Sequence, residues 1–155
     1  MLSIAAAAFP DDAEVVLAIW WEFVASSSVS LDFQGNDAEF ADLPGKYARP
    51  DGGVLLGKAG VDVAGCVALR KVEATICEMK RLYVRPAWRG TGLGRALVGA
   101  VIAEARNAGY EEMRLDVMPH SQAARRLYRD FGFGPAAPVT YNPVAGAQFL
   151  GLRLI

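Results

Sequence analysis

Glu78-Met79-Lys80-Arg81-Leu82-Tyr83-Val84-Arg85-Pro86-Ala87-Trp88-Arg89-Gly90-Thr91-Gly92-Leu93-Gly94-Arg95-Ala96-Leu97 changes its period partway along. The first half reads as an apolar strand and the end opens an amphipathic helix. Glycines at 90, 92 and 94 fill the turn between them. Such a turn is an anion cradle: the N–H groups of a first helical turn lack intrahelical acceptors, and glycines let phosphate oxygens come close to the backbone. Arg89 and Arg95 flank it with charge-assisted donors. A dinucleotide fingerprint needs Gly-x-Gly-x-x-Gly and a nucleoside-triphosphate loop ends in Gly-Lys-Ser/Thr; neither spacing is present. A plain tight turn would bear the backbone entropy of three glycines without needing them.

Upstream, three extended segments follow one another with short links: Val54 to Leu56, Val63 to Leu69 after a turn at Gly60, and Thr75 to Val84. Links this short predict an antiparallel meander. Leu2 to Ala8 reads as a short strand stopped by Pro10. Asp11 and Glu14 form a capping box for a helix that presents Val15, Ile19, Trp20 and Phe23 on one face and ends at Ser26-Ser27-Ser28. A shorter helix spans Asp37 to Leu43, before Pro44-Gly45. Downstream, Leu93, Leu97, Ala100, Val101 and Ala108 recur at helical spacing up to Gly109. Met113, Leu115 and Val117 alternate as a strand, and Ala124, Leu127, Tyr128 and Phe131 return to helical spacing before Gly132. The tail from Ala147 to Ile155 supplies a last strand, or two. The expected class is α+β, a mixed sheet with helices on it, folded as one domain over 1–155.

Sixteen basic and seventeen acidic side chains leave a net charge of -1, so nucleic acid is excluded as a default partner. Seven basic residues nonetheless fall between 70 and 95, enough for a small anionic ligand. No apolar run reaches membrane-spanning length and no basic region follows Met1, which predicts a cytoplasmic protein with no membrane association. Cys66 and Cys77 sit in apolar strands and read as buried free thiols. One histidine and no cysteine pair at metal spacing provide no metal site.

Arg89-Gly90-Thr91-Gly92-Leu93-Gly94 resembles the pyrophosphate-binding motif Arg/Gln-x-x-Gly-x-Gly/Ala of the GCN5-related N-acetyltransferases. Leu127-Tyr128-Arg129-Asp130-Phe131-Gly132-Phe133 matches a second element of that family in order and spacing. The resemblance implies an acyl-CoA N-acyltransferase fold: a central sheet splayed open between the strand ending at Val84 and the strand Glu111 to Val117. It further implies acetyl-CoA as cosubstrate, with pyrophosphate on Arg89, Gly90, Thr91, Gly92, Leu93, Gly94 and Arg95. The pantetheine would lie along Leu82 and Val84 and touch Ser121.

By the same resemblance Glu78 deprotonates an acceptor amine and Tyr128 protonates the leaving thiolate. Each also has a structural reading, Glu78 as a paired strand carboxylate and Tyr128 as a core ring. Pro119-His120-Ser121 departs from the asparagine common in relatives, and His120 is a second candidate base. The acceptor pocket would draw on Trp20, Trp21, Phe23, Phe33 and Phe40, with Tyr47, Arg49 and Tyr141 as polar-tipped contacts. The expected reaction is direct transfer in a ternary complex to a small-molecule or amino-acid-like amine. A peptide or protein amine and a noncatalytic acyl-CoA sensor are the alternatives. The chain would act as a monomer or homodimer.

Overall fold

A computed structural model describes residues 1–27, 30–31 and 35–155. The elements run β1 (Leu2–Ala6), α1 (Ala13–Ser26), α2 (Asn36–Ala41), β2 (Gly53–Ala59), β3 (Asp62–Lys71), β4 (Ile76–Val84), α3 (Leu93–Asn107), β5 (Glu112–Val117), α4 (Gln122–Asp130), β6 (Gly134–Pro135) and β7 (Gln148–Arg153). The strands form one sheet in the order β1-β2-β3-β4-β5-β7-β6. All neighbours are antiparallel except β4 and β5, whose connection carries α3. Among the described residues no helix is long and apolar enough to cross a membrane.

Two cores lie on opposite faces of this sheet. Alternation in β3 and β4 sends Leu69, Cys77 and Met79 toward α3, where they meet Leu97, Val101 and Met113. Leu56, Cys66 and Tyr83 point the other way, toward Trp20 of α1 and Phe40 of α2. Both thiols are buried and free, and burial pushes each up to about 12.

Helix ends differ from expectation where a side chain found another use. The capping box at Asp11 and Glu14 does not form: Asp12 is the N-cap residue, and its carboxylate accepts from the Ala8 N–H at 2.8 Å. That bond ties the turn between β1 and α1 instead of capping the helix. The buried stripe of α1 is Val16, Ile19 and Trp20, with Val15 only partly covered. Helix α1 ends at Ser26, within the expected serine run, while Ser28 of that run and the aromatic Phe33 lie outside the described residues. Gly109 and Gly132 end α3 and α4 with φ of 92° and 97°, where any other residue would be strained.

The decisive irregularity is a bulge in β4. Cys66 pairs with Tyr83 and Ala68 with Lys80, so Arg81 and Leu82 oppose the single residue Val67. Arg81 absorbs the extra residue with φ of 55°. Lys80 and Arg81 consequently both turn to the α1/α2 face, and alternation resumes with Leu82 and Val84 packed on the α3 side.

Candidate active site

The β4–β5 ladder lasts only three residues, Ile76↔Glu112, Cys77↔Met113 and Glu78↔Arg114, and then the strands part. The gap forms a cavity of about 520 Å³. One wall is β4 from Met79 to Val84, another is Asp116 to Met118 at the end of β5, and α4 closes the far side with Ala124, Leu127 and Tyr128. Arg85 N–H donates to Ala64 of β3, so the alternating backbone groups of Val84 and Leu82 point to the edge that β5 has left. Those two residues therefore turn strand edge toward the gap.

The turn after β4 leads the cavity onto the start of α3. Gly90 and Gly92 have φ of 77° and 87°, and a Cβ on either would meet nothing within 4 Å. Among the described residues no side chain caps α3, which leaves the N–H groups of Leu93, Gly94 and Arg95 without intrahelical acceptors. The side chains around this cradle mostly hold it in shape. Arg89 Nε donates to the Val84 carbonyl at 3.0 Å, and Thr91 Oγ1 donates to the Trp88 carbonyl at 2.6 Å. Leu93 is core, packed under Gly57 and Gly65. Arg95 pairs with Asp130 at 2.9 Å on the surface of α4. What the segment presents to an anion is backbone, with Arg89 alone among its arginines lining the cavity.

Tyr128 lies at the closed end of α4 with its ring 5.7 Å from Phe133, and it lines the cavity. Burial and then the Asp116 carboxylate hold its phenol well above the usual range, so the hydroxyl keeps its proton at every physiological pH. Ser121 is the N-cap residue of α4, but its side chain makes no cap bond; Ser121 and His120 both face the cavity.

Glu78 is fully buried and sits one row below the opening. Its Oε1 accepts from Arg70 Nε at 2.7 Å, and Oε2 is buried with no partner among the described residues. It is not among the cavity-lining residues, so the structure does not bring it together with Tyr128. The carboxylate that does line the cavity is Asp116, which accepts from Asn142 Nδ2 at 2.6 Å. Sequence reading missed it, although its place among alternating Met113, Leu115 and Val117 put it on the face opposite the core. Arg81 was missed too. It is 4% exposed, paired with Glu39, bonded to Tyr47 and stacked 4.6 Å from Trp20.

Of the aromatic acceptor candidates, Phe23 lines the cavity. Trp20, Phe40 and Tyr47 form the box around Arg81, while Trp21 packs on Phe40 with its outer edge exposed. Arg49 pairs with Glu104 and Tyr141 is exposed; neither reaches the cavity.

Residues 16–133 match the model of the acetyltransferase (GNAT) family. An uncharacterized N-acetyltransferase of Schizosaccharomyces pombe is 36% identical across 99% of this chain and 95% of its own length. The chain belongs to the GNAT acetyltransferase family. A GNAT acetyltransferase from Staphylococcus aureus shares the fold with a TM-score of 0.80 at 16% identity, each chain covered in full. YncA of Salmonella typhimurium, solved with acetyl-CoA, superposes with a TM-score of 0.72 at 24% identity over 99% of this chain and 94% of that one. As a GNAT member the protein is an acetyl-CoA-dependent acyltransferase, and its own residues fit that cosubstrate. The first turn of α3 is uncapped, open space lies at Gly90 and Gly92 before it, and the cavity beside β4 reaches this segment at Arg89 and Gly94.

Proposed function

We propose that the protein transfers an acetyl group from acetyl-CoA directly to the amine of a small-molecule or amino-acid-like acceptor in a ternary complex. The observation that carries this reading is a single cavity that passes through the splayed sheet. Arg89, Gly94 and Tyr128 line its α3/α4 side, and Phe23, Lys80 and Asp116 line its α1/α2 side. A donor can therefore lie on one face while an acceptor enters from the other.

Acetyl-CoA supplies a thioester carbonyl for attack and a thiol as leaving group. The backbone N–H groups of Gly90 to Arg95 hold its pyrophosphate, and the β4 edge at Leu82 and Val84 aligns the arm, with Ser121 at its side. Tyr128 gives its hydroxyl proton to the departing sulfur. Its elevated pKa keeps that proton available at neutral pH but makes full transfer uphill, so the bond must strengthen as the thiolate develops. On the acceptor face Asp116 takes the amine proton directly, and Glu78, through its unpartnered Oε2 and an intervening water, is the further acceptor. Both cysteines are buried with raised pKa, which argues against a covalent acyl-enzyme. Two free thiols also suit a reducing compartment, and we place the enzyme in the cytoplasm.

The test is acetyl-CoA-dependent thiol release across a panel of small amines, amino acids and peptide N-termini. Release with small amines is expected. Release with peptides alone would move the assignment to a peptide amine. CoA binding with no release for any amine would make the protein a sensor.

A further inference from the structure

Lys80 and Asp116 occupy the first row of the gap. Glu78 and Arg114 are the last residues in register across β4 and β5, and two positions further along each strand stand Lys80 and Asp116. The alternating partners Met79, Leu115 and Val117 are in the α3/α4 core, so these two side chains share the α1/α2 face, and both line the cavity. Lys80 makes no hydrogen bond or ion pair among the described residues, and each nearby carboxylate has another cation as its ion-pair partner. Glu78 pairs with Arg70 at 2.7 Å, and Glu39 pairs with Arg81 and with Lys46 at 2.6 Å. Arg81 also lines the cavity, with a buried Nε that has no partner among the described residues.

Around Glu78 and Glu39 stand four cations, Arg70, Lys80, Arg81 and Lys46, while the further pair on this face, Arg85–Glu22, is balanced. Across the gap Asp116 has one amide donor, Asn142, and no cationic partner among the described residues. A half-buried ammonium without a counter-ion is costly, and burial with the Arg81 charge holds Lys80 below the usual lysine range. Both charges are what a zwitterion would neutralise.

We propose that the acceptor is an amine that also carries a carboxylate, a free amino acid or close analogue, with its carboxylate on Lys80 and its ammonium on Asp116. This rests on the transferase reading above and narrows its acceptor. It sets the amine on the β5 side, near enough to Tyr128 for the Asp116 charge to act on the phenol.

The experiment is calorimetric titration of the CoA-saturated protein with the standard L-amino acids and, for each that binds, its carboxamide. At least one amino acid should bind, and its carboxamide roughly tenfold or more weakly. Lys80→Met should abolish that preference and Lys80→Arg should restore it, with CoA affinity the same in both variants. Equal binding of acid and carboxamide, no binding of any amino acid, or a preference that survives Lys80→Met would each overturn the proposal. Thiol release with acetyl-CoA on the same panel separates the two readings. Carboxylate-dependent binding without release supports Lys80 recognition and removes the transfer to amino acids. Release with carboxylate-free amines alone leaves the transferase standing and overturns Lys80 recognition.

Discussion

In the proposed mechanism a phenol, a carboxylate in the cavity and a carboxylate just below it divide the chemistry, and each can be removed singly. Tyr128→Phe deletes only the hydroxyl and keeps the ring that packs on Phe133. Turnover should fall roughly ten- to a thousandfold, about 1.4 to 4 kcal/mol, while CoA affinity holds. Because burial and Asp116 raise the phenol pKa, the loss should be the same across the neutral range, as single-turnover rates against pH would show. The two carboxylates predict an order of effects. Asp116→Asn should lower turnover more than Glu78→Gln on the same acceptor, since Asp116 lines the cavity and Glu78 does not. The reverse order in single-turnover rates would return the base to Glu78.

At the scale of the element, the start of α3 is proposed to bind through its backbone, so its glycines are better probes than its arginines. Gly94→Asp places a carboxylate where the pyrophosphate is expected. A Cβ there meets Leu127 and Val84 at 3.7 and 3.8 Å, ordinary contact, so the variant should fold. CoA affinity should drop by roughly tenfold or more from charge repulsion alone, with little change in Tm; calorimetry and thermal melts check both. Arg95→Ala should cost far less affinity, because that side chain is spent on Asp130 at the surface. Equal losses from the two substitutions would contradict a backbone cradle.

For the molecule as a whole, the pair Glu39–Arg81 joins α2 to the bulge of β4 and so holds the acceptor face to the sheet. Burial alone would raise the Glu39 carboxyl, but Arg81, Lys46 and Tyr47 together outweigh it and hold it at about 2, against 4.5 ordinarily. A depressed carboxyl contributes stability that is full above about pH 4.5 and is lost as pH falls toward 2. The contribution is of order 3 kcal/mol. Glu39→Gln should therefore be less stable at pH 6 and show a shallower loss of stability between pH 5 and 2, read from urea unfolding at each pH (about two points per unit).

Local signals in the chain determined most of this fold. Period changes located β2 through β5, α3 and α4 to within a few residues, because amphipathic alternation is written directly in side-chain order. The glycine turn was legible for the same reason: the positive φ at Gly90 and Gly92 is a local demand. Tyr128 was readable from its helical spacing and its family match. Three things only the tertiary structure decided. The bulge at Arg81 cannot be seen in β4 alone, since it exists only against β3, and it alone turns Arg81 toward Trp20 and Glu39. The partner of Glu78 is Arg70, directly opposite it in the β3–β4 register, which β4 by itself does not specify. The cavity role of Asp116 depends on where β5 leaves β4. Pairing and parting of strands are long-range events, set by packing on both faces of the sheet, and no local period encodes them.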